Sequence, residues 1–184
     1  MHERRFHGNI GRLRSPDRLE LLEVDRVVEL CLVTFPARNM LDVGTGTGIF
    51  AEAFAEHGLK VSGIDANPDM LESAQAFVPE GHFQIAPAEA IPFQDASFDL
   101  VFLGHVLHEA DDPLAALREA RRVARQAVAV LEWPYQEDAH GPQLAHRLKP
   151  EAIYALAEQS GFQHIDFHML THMSLYFMKV TPFS

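Results

Sequence analysis

Three glycines stand at alternate positions, Gly44, Gly46 and Gly48, in the stretch NMLDVGTGTGIFAEAFAEHG. Glycine lets the backbone turn sharply and approach a ligand, because no β-carbon lies in the way. The run that follows is helix-like, and a helix amino terminus directs N–H groups at a phosphate or carboxylate. The spacing is GxGxG rather than the GxGxxG of nicotinamide-binding proteins, so the loop alone is compatible with any nucleotide-like ligand.

Asp65 narrows the choice of ligand, because it ends the next predicted strand, KVSGID. A carboxylate at that position can accept hydrogen bonds from both hydroxyls of a ribose. The alternative is that Asp65 only caps the turn before Asn67 and Pro68. Loop and acid follow consecutive strands in register, so the pattern favours a ligand that contains an adenosine.

Alternating strands and helices are predicted to bring these residues to one edge of a sheet. The leader SPDRLELLEVDRVVELCL predicts a helix with Ser15 as its N-cap, and apolar strands then alternate with amphipathic helices. Such alternation indicates a largely parallel sheet with helices on both faces. The last two strands, FQHIDFHML and MSLYFMKVT, are too close in sequence for a helical crossover, so they are predicted to form an antiparallel hairpin.

Composition excludes several classes of function. The net charge of −11 repels a polyanion, so we expect no nucleic-acid binding. Cys31 is the only cysteine, which excludes an internal disulfide, and we expect it to be buried. The chain has no long apolar run, so we expect a cytoplasmic protein without membrane insertion.

The first 18 residues hold five arginines against two acidic residues. This basic arm could cover an anionic substrate, dock on its own domain or remain an ordinary solvated segment. The arginines are Arg4, Arg5, Arg12, Arg14 and Arg18.

Four segments resemble, in order, the motifs of the class I S-adenosylmethionine-dependent methyltransferases, in the methyltransferase type 11 and ubiquinone/menaquinone methyltransferase-like branch. They are MLDVGTGTGIFAEAFAEHG, VSGIDANPDML, APAEAIPFQDASFDLVFLGHVLHEADDPLAALREARRVAR and AVAVLEW. The resemblance implies a Rossmann-like three-layer α/β domain with a seven-stranded, mostly parallel sheet that ends in an antiparallel hairpin. The domain would span residues 39–184, after an amino-terminal arm and helical lid at 1–38.

The resemblance also implies S-adenosylmethionine as cofactor, with S-adenosylhomocysteine as product. The loop would surround the methionine end, Asp65 would bind the ribose hydroxyls, and two later segments would contact the adenine and the reactive sulfonium. The implied residues are Asp42, Gly44, Thr45, Gly46, Gly48, Asp65, Ala66, Met70, Ala88, Glu89, Leu103 and Gly104. Pro87 stands where many relatives carry an aspartate that accepts a hydrogen bond from the adenine amino group, so that contact must come from elsewhere or affinity falls.

His105 and His108 follow the fourth predicted strand and are the candidate general bases. Their spacing of three would place both on one face of a helix. Alternatively, they pack structurally, and a metal site with Glu109 is the weaker option, so we predict none. For the acceptor we expect contacts from Trp133, Tyr135, Arg147 and Arg14.

The sequence therefore predicts in-line methyl transfer to a small, anionic molecule by a monomer or homodimer. The alternatives are a cofactor-binding protein without transfer activity and a nicotinamide-dependent oxidoreductase. The row of His164, Asp166, His168 and His172 could hold a metal, but it is better explained as the polar face of an edge hairpin that turns Ile165, Phe167 and Met169 inward.

Overall fold

The computed structural model describes residues 13–180. The arm residues Arg4, Arg5 and Arg12 lie outside this range. The helices are α1 (Pro16–Leu21), α2 (Val24–Thr34), α3 (Ile49–Glu56), α4 (Pro68–Phe77), α5 (Pro113–Val123) and α6 (Pro150–Gln159). The strands are β1 (Asn39–Val43), β2 (Lys60–Asp65), β3 (His82–Ile85), β4 (Phe98–Gly104), β5 (Ala124–Glu132), β6 (Ile165–Met169) and β7 (Ser174–Lys179).

The seven strands of this range form one sheet in the order β3-β2-β1-β4-β5-β7-β6. Strands β1 to β5 pair in parallel, whereas β7 runs antiparallel to both of its neighbours, β5 and β6. The predicted α/β sheet with a terminal antiparallel hairpin is confirmed. The strand order reverses between β1 and β4, so the loops after these two strands diverge and leave a crevice at the carboxyl edge.

Local sequence explains where two of the helices begin. The side chain of Asn67 accepts a hydrogen bond from the Asp69 N–H at 3.0 Å, and that of Asp112 accepts one from the Ala115 N–H at 3.0 Å. Each cap is followed by a proline in the first helical turn, where the missing N–H costs nothing. Asn67 and Asp112 are therefore the N-caps of α4 and α5.

The leader is two helices rather than one. Ser15 occupies the N-cap position of α1 as predicted, but α1 ends at Leu21 and α2 begins at Val24. Between them Glu23 has the left-handed backbone φ of 50°. Its carboxylate accepts hydrogen bonds from Thr171 Oγ1 at 3.0 Å and from the His172 N–H at 2.9 Å. These bonds join the helix break to the β6–β7 turn.

Two apolar clusters fill the space on the opposite faces of the sheet. One contains side chains of α2 and α3, and the other contains side chains of α5 and α6. Val27, Val28 and Cys31 of α2 are fully buried in the first cluster. The predicted burial of Cys31 is confirmed.

The prediction for the edge hairpin is wrong in part. Phe167 is 39% exposed and Met169 is 65% exposed, although both were expected to turn inward. Strand β6 lies at the edge of the sheet, paired with β7, where side chains are less covered than on the inner strands. His168 instead lies against the Phe177 ring, with 5.2 Å between ring centroids.

Within residues 13–180, none of the helices combines the length and the apolarity that spanning a membrane would require.

Candidate functional site

A cleft of about 200 Å³ opens at the carboxyl ends of β1, β2 and β4, beside α1. Eight of the twelve residues predicted to bind the cofactor line it, which brings the glycine loop and the end of β2 together as the strand register implied. These eight are Asp42, Gly44, Thr45, Gly46, Ala66, Met70, Gly104 and Asp65.

Asp65 fixes the shape of the glycine loop. Its Oδ2 accepts a hydrogen bond from the Gly46 N–H at 2.9 Å, and its Oδ1 accepts one from the Asn67 N–H at 2.8 Å. Gly46 has a φ of 53°, and a β-carbon there would meet only the Gly44 carbonyl oxygen, at 4.0 Å. Gly46 therefore leaves open space in the wall of the cleft.

Gly48 serves packing rather than the cleft. It has a φ of 80°, and a β-carbon would lie 2.9 Å from the Ala74 Cα of α4. Glycine at this position lets the start of α3 lie against α4. Its predicted contact with the cofactor stays a prediction.

Asp42 places a buried carboxyl group in the cleft. Burial raises the pKa of Asp42 to about 7, and the nearby charge of Asp65 adds to the rise. The Thr45 hydroxyl donates to Asp42 Oδ2 at 2.7 Å and lowers the pKa in part. A cationic ligand group would stabilise the ionised form.

His105 is the residue of the cleft with the clearest unmet bonding capacity. It follows β4 with a left-handed φ of 61°, and its N–H donates to the Leu131 carbonyl at 2.8 Å. Both ring nitrogens are buried and have no hydrogen-bond partner among the described residues. Burial lowers the pKa of His105 to about 4, and the charges of His108 and Arg18 also lower it, against the effect of Glu132. The imidazole is therefore neutral near pH 7.

His108 is not among the residues that line the cleft. Segment 105–110 is a turn rather than a helix, so the two histidines do not share a helical face. Glu132 Oε2 lies 2.7 Å from His108 Nδ1, and Oε1 accepts from the His108 N–H at 3.2 Å. Burial opposes protonation, but the hydrogen bond and charge of Glu132, with the charge of Glu109, outweigh it and raise the pKa of His108.

Trp133, Tyr135 and Arg147 lie in the segment after β5. Trp133 is buried, and its ring packs on His105 with centroids 4.9 Å apart. Arg147 donates to the carbonyl oxygens of Pro142 at 2.9 Å and Pro134 at 3.0 Å, and its guanidinium lies 5.6 Å from the centre of the Trp133 ring. These contacts support the wall behind His105. Their predicted role in acceptor binding stays a prediction.

Arg14 is engaged by the protein itself. Its guanidinium donates to the Thr47 carbonyl at 2.7 Å, forms an ion pair with Glu52, and stacks on Phe77 at 3.5 Å from the ring centre. It thus connects the start of α1 to α3 and α4. Its predicted contact with the acceptor stays a prediction.

Three further predicted cofactor residues lie away from the cleft lining. Leu103 is fully buried in the core. Glu89 Oε1 accepts hydrogen bonds from the N–H groups of Asp111 at 3.0 Å and Asp112 at 3.3 Å. Ala88 lies in a turn closed by the Ala90 N–H on the Pro87 carbonyl at 3.2 Å. How the adenine contacts this segment stays a prediction.

Arg18 lines the cleft from α1, although the sequence predicts no individual role for it. It was named only within the basic arm, while Arg14 was chosen for the acceptor. Leu22 lies four residues after Arg18 and is buried at the cleft, so both lie on one helical face. That spacing was the available signal.

Comparisons with known proteins agree with this geometry. The sequence model of a protein family described as a methyltransferase domain matches residues 41–131. The chain is 30% identical over 183 residues to the O-methyltransferase resE of Aspergillus sclerotiorum, covering 86% of this chain and 69% of that protein. It is 34% identical over 96 residues to a malonyl-[acyl-carrier protein] O-methyltransferase of Serratia marcescens, covering 52% of this chain and 38% of that protein. The chain spans less than half the length of several curated relatives that it matches.

A solved structure of a SAM-dependent methyltransferase from Aquifex aeolicus has the same fold. It superposes with a TM-score of 0.79 at 24% identity, covering 94% of this chain and 97% of that one. Sequence relatives, fold and the arrangement of the glycine loop with Asp65 lead to one conclusion. The chain belongs to the class I S-adenosylmethionine-dependent methyltransferases, the family whose cofactor is S-adenosylmethionine.

Proposed function

We propose that this protein transfers the methyl group of S-adenosylmethionine to a small, negatively charged molecule bound between the glycine loop and α1. The observation that carries the proposal is His105. A buried, neutral imidazole with two unpartnered nitrogens lies in the wall of the cleft that the predicted cofactor residues line.

The described residues fit the cofactor. Asp42 provides a carboxyl group that a cation would ionise, and Gly46 leaves space where a β-carbon would stand. When bound, S-adenosylmethionine supplies an electrophilic methyl group, so the protein's main task is to orient a nucleophile towards it. No covalent catalyst is required.

His105 is the proposed general base. Because burial lowers the pKa of His105 to about 4, the ring is neutral across the neutral pH range and one of its nitrogens has a free electron pair. That nitrogen can accept the proton of a hydroxyl group as the hydroxyl oxygen becomes positively charged on methylation. Packing on Trp133 holds the ring in place. His108 is engaged by Glu132, so its predicted role as a base is assigned instead to positioning the turn that carries His105.

The elements that cover the cleft support a small, negatively charged acceptor. Only 17 residues, 133–149, separate β5 from α6, and the Trp133 and Arg147 contacts organise them. The cleft is instead bordered by α1 and the residues on either side of it, which bring Arg18, Leu13 and Leu22 to the cleft. Apolar side chains with one cation suit a small molecule that carries negative charge.

A cofactor-binding protein without transfer activity is the second candidate. It is favoured by the internal contacts of Arg14 and Arg147, two of the four residues predicted to bind an acceptor. Fold alone does not decide between the two, because one fold supports many functions.

Formation of S-adenosylhomocysteine from S-adenosylmethionine, measured with pooled small acids, phenols and amines, separates the candidates. We expect product formation, and His105→Ala should lower turnover about 10²- to 10⁴-fold, the usual contribution of a general base. Affinity for S-adenosylhomocysteine, measured by calorimetry, should stay unchanged, and the exposed His164→Ala should behave as wild type.

Three results would count against the proposal. Cofactor binding without product formation would favour the second candidate. Unchanged turnover in His105→Ala would remove the base role. Calorimetric binding of NAD in place of S-adenosylmethionine would support an oxidoreductase.

A further inference from the structure

Arg18 has a side chain whose bonding capacity is only partly used. It is the third residue of α1, and it lines the cleft together with Leu13 and Leu22. Its Nε is buried and has no hydrogen-bond partner among residues 13–180. A guanidinium beside leucine side chains without an acceptor for a buried N–H group is costly unless a ligand supplies one.

The surrounding charges leave Arg18 weakly compensated. Burial lowers the pKa of Arg18, whereas the charge of Glu109 raises it. Among the described residues the carboxylate of Glu109 is paired with His108, at 3.7 Å from Nε2, rather than with Arg18. Arg18 in turn contributes to the low pKa of His105, so the guanidinium acts on the same space as the proposed base.

Arg14, four residues earlier, differs from Arg18 because its guanidinium has partners within the protein. Its guanidinium is bonded to the Thr47 carbonyl and paired with Glu52. Of Arg14 and Arg18, only Arg18 presents a buried N–H group at the cleft that has no partner among residues 13–180.

We infer that Arg18 binds a carboxylate group of the acceptor, in the part of the cleft that it shares with His105. This inference rests on the proposed function. A guanidinium fork matches a carboxylate with two parallel hydrogen bonds. A doubly charged phosphate fits less well, because Asp42, Asp65 and Glu109 carry acidic groups at or near the cleft, and within residues 13–180 Arg18 is the one cation in the cleft lining.

Trp133 provides a direct readout of binding. It is the only tryptophan of the chain, and its ring packs on His105. The protein saturated with S-adenosylhomocysteine is titrated with benzoate, with acetate and with the neutral analogue benzamide, and tryptophan fluorescence is followed. No turnover is needed, so a negative result here leaves the methyltransferase proposal standing, whereas failure to bind S-adenosylhomocysteine would count against that proposal itself.

The variants are Arg18→Met, which keeps the length of the side chain but not the charge, and Arg18→Lys, which keeps the charge but not the fork. Arg26→Met is the matched control, because it removes one exposed cation from α2. We expect benzoate to bind wild type more tightly than benzamide does. Arg18→Met should weaken benzoate binding about tenfold to hundredfold, as expected for a charge-assisted hydrogen bond, while Arg18→Lys retains part of it.

Urea unfolding first establishes that each variant is folded. Equal benzoate affinity in Arg18→Met and wild type would overturn the inference, as would the absence of saturable binding of both carboxylates to wild type. Weaker S-adenosylhomocysteine binding in Arg18→Met with unchanged benzoate binding would also overturn it, because the carboxylate recognised would then be that of the cofactor.

Discussion

Replacing Glu132 by glutamine tests how the turn that carries His105 is held. Glu132, at the end of β5, is 1% exposed, and its two carboxylate oxygens contact the ring and the backbone N–H of His108 at 2.7 and 3.2 Å. Glutamine keeps the shape and one acceptor but removes the charge. Breaking a buried ion pair from one side costs about 3–5 kcal/mol, so the isosteric change should cost about 3 kcal/mol of unfolding free energy at pH 6.

The loss should depend on pH in a defined direction. The pKa of His108 is raised in the folded protein above its unfolded value of about 6.5. The stabilisation from the imidazolium is therefore complete below pH 6.5 and is lost as the pH rises through the folded pKa. The difference between wild type and Glu132→Gln should accordingly be largest at pH 6 and smaller at pH 9.

Urea unfolding at both pH values measures the effect, and an NMR titration of His108 follows its pKa directly. Glu132→Gln should lower that pKa, and a double-mutant cycle with His108→Gln should show a coupling of about 2 kcal/mol. Glu109→Gln is the control, since its half-exposed carboxylate lies 3.7 Å from His108 Nε2 and should contribute less than about 1 kcal/mol. A pH-independent loss, or additive single changes, would refute the account.

Two further predictions concern the cofactor cleft. Gly46→Ala and Gly58→Ala both place alanine at a positive φ, 53° and 86°, so each should lower the free energy of unfolding in urea by about 1–2 kcal/mol. Because Gly46 lines the cleft, only Gly46→Ala should also weaken S-adenosylhomocysteine binding in calorimetry. Equal affinity of the two variants would contradict this. Because the pKa of Asp42 lies at about 7, binding of cationic S-adenosylmethionine should become tighter as the pH rises through 7, and binding at pH 7 should release protons. Calorimetry in buffers of different ionisation enthalpy measures this release. The same binding enthalpy in all of these buffers would contradict the prediction.

The fold could be predicted where local sequence determines it. Apolar strands, Asn67 and Asp112 as caps, and the short connection between the last two strands all indicate structure through nearby residues. The helix break at Glu23 could not be predicted in this way. The left-handed backbone of Glu23 is stabilised by hydrogen bonds from its side chain to a turn 148 residues later in the chain. The exposure of Met169 likewise depends on which other parts of the chain cover the edge strand β6, and the sequence of the strand itself does not encode that.

The part of the candidate site that depends on the order and register of the strands could be predicted from the sequence. Asp65 and Gly46 meet because they follow neighbouring parallel strands. The sequence pattern does not show which of His105 and His108 lines the cleft. The difference comes from Glu132 on β5, which bonds to the ring of His108, while the ring of His105 lies in the cleft wall. The partners of individual side chains depend on tertiary contacts that spacing does not encode.

A crystal structure of the complex with S-adenosylhomocysteine would test directly whether the cofactor lies in the cleft with His105 beside the reacting sulfur. The account predicts the ribose hydroxyls on Asp65, the amino-acid portion against the glycine loop at Gly46, and the sulfur facing His105 across open space bordered by Arg18. A ligand bound elsewhere, or a continuous protein wall between the sulfur and His105, would contradict the account.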